Sequence, residues 1–252
     1  MFLVASIILF WNDVTPRKLV GEVLFLQNYL GGISAHTWSL AVEEHFYIGL
    51  AIIVFLLLKY FGSFRSIPLL FVLVAITCLT LRGLMAYYRG VNHFPTHFRI
   101  DSLFFGVLIS YFWHFKSWDV SPFFKKHRYL LALGGTILML PFFAGNSAES
   151  RVVFVFGLTV IYIASGMLLV AFLQMDMRRL KPLAMIGMYS YSIYLWHLPV
   201  IRVLMWYEMP WWPMIVLYLT GAIGIGIVMS KLVEYPALKL RNRWFPSSVK
   251  SV

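Results

Sequence analysis

Apolar residues fill eight stretches of the chain, 1–11, 38–58, 67–88, 98–115, 129–145, 151–174, 184–206 and 211–233, and the polar residues crowd into the short connections between them. Most stretches run about 18 to 24 residues, and at 1.5 Å of rise each can cross a ~30 Å hydrocarbon core. The pattern predicts an all-α, polytopic transmembrane bundle of about seven to eight segments, forming one domain over residues 1–252. No Ser/Pro-rich linker interrupts it, and no internal repeat is visible, which argues against inverted-repeat transporter folds. The first stretch is anomalous. It covers only about 16 Å, half a bilayer, and lacks the basic flank and small-residue cleavage site of a signal peptide. It reads as a span cut in mid-course.

Composition supports this reading. The 252 residues are 61% hydrophobic and only 12% charged, with a mean hydropathy of +0.80. A soluble domain of this length cannot hide so much apolar surface. The net charge of +11 does not point to nucleic acid, because the basic residues lie between apolar segments and not in a basic domain. Connections 59–66, 116–128 and 175–183, with the tail from Lys231, hold 14 of the 21 Lys and Arg. The alternate connections hold only Arg17, Lys18, Arg89, Arg99 and Arg151, so the first set and the C-terminus are expected on the cytoplasmic side. Cys78 is the only cysteine, which excludes an intramolecular disulfide and a cysteine-based metal site.

Ionisable residues inside apolar stretches are costly and suggest function. The richest run is His36-Thr37-Trp38-Ser39-Leu40-Ala41-Val42-Glu43-Glu44-His45-Phe46-Tyr47. On a helix Ser39, Glu43 and Tyr47 share one face, and Glu44 points about 100° away. A partly desolvated carboxyl suits proton transfer, whereas carboxylates paired with arginines would lock the bundle. In a second run, His93 to Ser102, Arg99 and Asp101 stand too close to face each other on one helix. Each should pair with another helix, with Glu43 or Glu44 as a natural partner for Arg99. His93 and His97 have i, i+4 spacing, but Pro95 between them weakens any shared metal site. In a third, Tyr189 to Pro199, Pro199 removes a backbone donor beside His197, frees the Leu195 carbonyl and should kink the helix.

These runs resemble acyltransferase family 3, integral-membrane enzymes that O-acylate surface polysaccharide, lipopolysaccharide or peptidoglycan. The likeness rests on Thr37–Tyr47, Phe98-Arg99-Ile100-Asp101-Ser102-Leu103, Ser190-Tyr191-Ser192-Ile193-Tyr194-Leu195-Trp196-His197 and Glu234-Tyr235-Pro236, in family order. It implies transfer of an acyl, commonly acetyl, group from a CoA thioester to a hydroxyl of a carbohydrate or glycolipid, in a bacterial inner membrane, with no metal and no nucleic acid. Glu43 or Glu44 would assist the base, Arg99 would stabilise negative charge, Asp101 would orient Arg99, and His197 is the best histidine for proton transfer. Lys125, Lys126, Arg128, Arg178 and Arg179 are candidates for the CoA phosphates, although topology alone would also explain them. Family members open with helices bearing an arginine and a histidine needed for catalysis, and nothing before Phe25 supplies that pair. The chain as it stands is therefore expected to be impaired. A transporter or acyl-group conduit, or an inactive partner subunit, are the competing readings.

Overall fold

Each apolar stretch becomes helix in the computed structural model, which describes residues 1–115, 117–143, 149–176 and 178–245, with only the backbone described at 117–121 and 179. Among the described residues there is no strand. The opening stretch forms α1 (Phe2–Leu9) and a 3-10 turn. Thr15 then caps α2 (Pro16–Val23), its hydroxyl accepting the Lys18 N–H at 3.3 Å, while Pro16 takes the first helical position, where its missing N–H costs nothing. The short α3 (Gln27–Leu30) leads through a loop into α4 (Trp38–Phe61), which Gly62 ends in a left-handed cap at φ 58°. Next come α5 (Ile67–Tyr88), α6 (Ile100–Phe115), α7 (Ser117–Lys126) and α8 (Arg128–Met139). A π-helical turn, Val153–Gly157, opens α9 (Leu158–Leu173). The chain closes with α10 (Lys181–Gly187), α11 (Ser190–Leu204), α12 (Trp211–Met229), a second π turn (Ser230–Glu234) and α13 (Tyr235–Trp244).

Four continuous helical stretches, Trp38–Phe61, Ile67–Tyr88, Val153–Leu173 and Trp211–Trp244, are long and apolar enough to cross a bilayer. Only 17% to 33% of their apolar windows is buried inside the protein, so their outer faces need hydrocarbon around them. The chain is an integral membrane protein by this measure. The last of the four has 34 residues, about 51 Å of helix, so its Lys239, Arg241 and Arg243 end runs well past a ~30 Å core.

Several elements depart from the sequence pattern. Stretch 184–206 is two helices broken at Met188 and Tyr189, while α11 itself runs unbroken through Pro199. Residues 16–30 and 117–126, expected as connections, form α2, α3 and α7. α2 and α7 carry charge and α3 is only four residues with Gln27 and Asn28 in it, so none gives a long apolar signal.

Packing divides the chain into two groups. In one, α4, α5 and α6 enclose Phe46, Leu57, Ile67, Phe104 and Tyr111, and α8 lies along α9. Small residues set that last approach: a Cβ on Gly135 would stand 2.8 Å from the Ala164 carbonyl oxygen. In the other, α11 packs on α1 and α12, and a Cβ on Gly226 would stand 2.8 Å from the Ile193 Cα. The two groups meet where the loop before α4 touches α11.

Candidate active site

That meeting point is built by backbone chemistry. Pro199 has no N–H for the carbonyl four residues back, and the freed Leu195 oxygen accepts instead from His36 Nε2 at 3.3 Å. A carbonyl can only accept, so His36 carries its proton on Nε2, and its buried Nδ1 is left as a bare lone pair with no partner among the described residues. His197 uses its Nδ1–H in the same way, donating to the Tyr194 carbonyl, which leaves its Nε2 as the basic nitrogen. The two imidazoles stand edge to face with centroids 4.8 Å apart. The Tyr194 hydroxyl donates to the His36 carbonyl at 2.7 Å and is hydrogen-bonded to Ser39 Oγ at the start of α4. Phe2 closes one side, edge-on to His36 and Trp196.

His36 is held neutral. Burial first, and the neighbouring His197 second, lower its pKa to about 4, against the opposing pull of the Leu195 and Tyr194 carbonyls. Its loop is fixed by Glu22 of α2, whose Oε1 accepts from the Ile33 N–H at 2.9 Å and the Thr37 hydroxyl at 2.7 Å.

Glu43 is half-buried and Glu44 exposed, and neither makes an ion pair among the described residues. The charges of both reach Tyr191 of α11, as does that of Glu234. Glu234 is anchored by Ser192 at 2.7 Å and Ser230 at 2.8 Å, the latter brought round by the second π turn. Tyr191, Ser192, Trp196 and Glu234 line a cavity of about 440 Å³ with Phe2 and Arg241.

Two expected pairings are corrected. Asp101 does not orient Arg99; it binds Arg82 of α5 at 2.8 Å, with both side chains fully buried. Arg82 also donates to Thr159 at 3.0 Å and to the Phe98 carbonyl at 3.2 Å. Arg99 pairs with neither Glu43 nor Glu44. Its Nε donates to the His93 carbonyl at 3.0 Å, and its guanidinium lies over the Trp38 ring at 5.1 Å. The reason is direction: α6 turns Asp101 inward toward α5, while Arg99, just before the helix, is turned against Trp38. His93 and His97 also part company, His93 packing on Phe154 and His97 on Tyr29.

The basic candidates gather at the opposite end of the bundle. Lys125 and Lys126 are exposed at the end of α7, and Arg128 at the start of α8 donates to the Gln174 carbonyl just past α9 at 3.4 Å. Arg178 is exposed beside Asp176, and the Arg179 side chain lies outside the described residues.

This constellation, carried by the runs around Glu43, Asp101 and His197, coincides with a family match: the profile described as "Acyltransferase domain" fits residues 1–231. The chain belongs to that acyltransferase-domain family. It is 28% identical over 176 residues to the O-acetyltransferase OatA of Staphylococcus aureus strain NCTC 8325, covering 66% of this chain and 29% of OatA. A second S. aureus protein, SAR0937 of strain MRSA252, named only provisionally as an O-acetyltransferase, is 28% identical over 244 residues, 86% of this chain and 39% of its own length. The chain thus spans well under half the length of these relatives. No solved structure matches it.

His36 and Arg82 were not among the residues singled out as catalytic candidates. A signal for His36 existed: the carbonyl freed by Pro199 needs a donor, and His36 opens the run that ends at Tyr47. Nothing local marks Arg82 as the partner of Asp101.

Proposed function

We propose that this acyltransferase-family protein transfers an acyl group, most simply acetyl, from a CoA thioester to a hydroxyl of a cell-surface carbohydrate or glycolipid, as a component of a bacterial inner membrane. The observation that supports it best is the imidazole pair, whose N–H groups are spent on backbone carbonyls so that each ring keeps a basic nitrogen. His197 Nε2 takes the acceptor hydroxyl proton as the oxygen attacks the thioester carbonyl, and the proton then passes to the departing thiolate. His36, held neutral, adds no second positive charge when His197 becomes imidazolium. Glu43 and Glu44 favour that imidazolium and hold water or the acceptor near Tyr191. Among the residues first put forward, Asp101 leaves this scheme because Arg82 consumes both its oxygens.

The CoA phosphates would be met by Lys125, Lys126, Arg128, Arg178 and Arg179, which requires the end of the bundle bearing α7 and the C-terminus to face the cytoplasm. Neutralising these residues in groups should raise the donor KM with kcat little changed.

The deciding experiment supplies radiolabelled acetyl-CoA to one side of proteoliposomes and a carbohydrate acceptor to the other. Formation of a base-labile acetyl ester, lost in His197→Gln, supports the reading. Movement of labelled acetyl groups across the bilayer without ester would instead show a conduit.

A further inference from the structure

A cleft of about 330 Å³ runs between α6 and α9. Its polar end is lined by Arg82, Arg99, Asp101 and Ser102, and its apolar wall includes Phe105, Ile109, Leu158, Ile161 and Leu169. It stops where Phe105 and Ile109 of α6 close on Gly166 of α9. From Arg99 to Ile109 the cleft follows about 15 Å of helix, the depth of one leaflet of a ~30 Å hydrocarbon core. Gly106 leaves room within it, since a Cβ there would meet nothing within 4 Å.

The charge is confined to one end and is not balanced. Arg82 and Asp101 neutralise each other, and Arg99 pairs with no carboxylate among the described residues. Its Nε is spent on a backbone carbonyl and its face on Trp38, which leaves the guanidinium Nη donors for the cleft. One fixed cation at the mouth of an apolar slot matches one kind of molecule, an anion carrying a hydrocarbon chain.

We propose that the α6–α9 cleft is a binding site for an anionic phospholipid, its phosphate on Arg99 and one acyl chain along Phe105, Ile109, Leu158 and Leu169. Arginine suits this task because its planar fork can give two hydrogen bonds to one phosphate. The site is independent of the acyl-transfer reaction and stands whether or not that reaction is found.

The test uses the protein in nanodiscs doped with a trace of phosphatidylglycerol or of uncharged diacylglycerol, each bearing the same diazirine-tagged acyl chain. After illumination, labelled peptides are mapped by mass spectrometry. Phosphatidylglycerol should label 102–109 and 158–169 roughly tenfold more than diacylglycerol, the ratio that one charged hydrogen-bonded contact supports. Arg99→Gln should bring the two lipids level, while Arg99→Lys keeps part of the preference. Gly106→Leu fills the cleft without a backbone collision and should cut labelling there by both lipids, with no change on the exposed α4 face at Ile48, Ile52 and Phe55. Should that variant fail to fold, Ser165→Leu fills the same space from α9. Equal labelling by the two lipids in the native protein, or labelling indifferent to the filled cleft, would overturn the proposal and leave ordinary annular lipid.

Discussion

Two polar clusters interrupt the apolar interior, and their hydrogen bonds are distributed in opposite ways. Between α5, α6 and α9, Arg82 and Asp101 are fully buried and bonded to each other, to Thr159 and to the Phe98 carbonyl. Of their side-chain donors and acceptors, the buried Arg82 Nε lacks a partner among the described residues. Between α4 and α11, His36, His197, Tyr194 and Ser39 are only half-buried, and each imidazole keeps one nitrogen unprotonated. A cluster whose carboxylate oxygens are both engaged has no base to offer a substrate, whereas one with free lone pairs carries a desolvation cost that catalysis would justify. Both were expected from the same signal, an ionisable residue in an apolar stretch, and only the count of unused lone pairs tells them apart.

The comparison is most severely tested by breaking the Arg82–Asp101 cluster. Arg82→Met or Asp101→Leu alone strands a buried charge and should cost about 3–5 kcal/mol. The double variant, which removes both charges, should recover most of the loss. Melting followed by size-exclusion chromatography in detergent reads this directly. Two single variants with native melting temperatures would show that the pair is not the lock described here.

The converse holds at the other cluster. His197→Gln should leave the melting temperature near native and lower acyl transfer by roughly 10²- to 10⁴-fold, the usual contribution of a general base. A loss of fold in step with the loss of activity would place His197 with Arg82 as a structural residue.

Legibility in the sequence followed the range of the interaction. The helices were readable because an apolar stretch is a local property of each, and 67–88 coincides with α5 end to end, although only four helices among the described residues are long and apolar enough to cross a membrane. The motif around Glu43, with Ser39 one turn above it, was readable for the same reason, as was the freed Leu195 carbonyl. What escaped was pairing. Ser39 and Tyr194 are 155 positions apart and His36 and Leu195 are 159 apart, distances over which no periodicity survives. The break before α11 escaped as well, since Met188 and Tyr189 are as apolar as the helices they separate.

Glu43 and Glu44, on α4 outside both clusters' hydrogen bonds, sharpen the contrast. Neither has a cationic partner among the described residues, so Gln at either position keeps shape and hydrogen bonding at no cost to an ion pair. Both Gln variants should insert and melt as the native protein does. If a carboxylate assists His197, at least one should lose about 10²-fold in transfer. Near-native turnover in both would confine the chemistry to the histidines.

The smallest expected effect concerns His36 and pH. Its folded pKa of about 4 lies below the ~6.5 of an unfolded histidine. Between those values the unfolded chain binds more protons than the folded one, so acidification favours unfolding. The penalty is absent above about pH 6.5, grows as the pH falls, and levels off once folded His36 also protonates near 4. His36→Gln removes the group, so its melting temperature should fall less between pH 6.5 and 4 than that of the native protein, by a few degrees at most because the ring is part-exposed. His197→Gln supplies the internal control. It deletes the second cause of the shift and leaves burial, so it should move the native acid limb only part of the way toward the His36→Gln curve. If all three proteins share one pH profile, His36 does not stay neutral in the fold, and its role beside His197 would have to be abandoned.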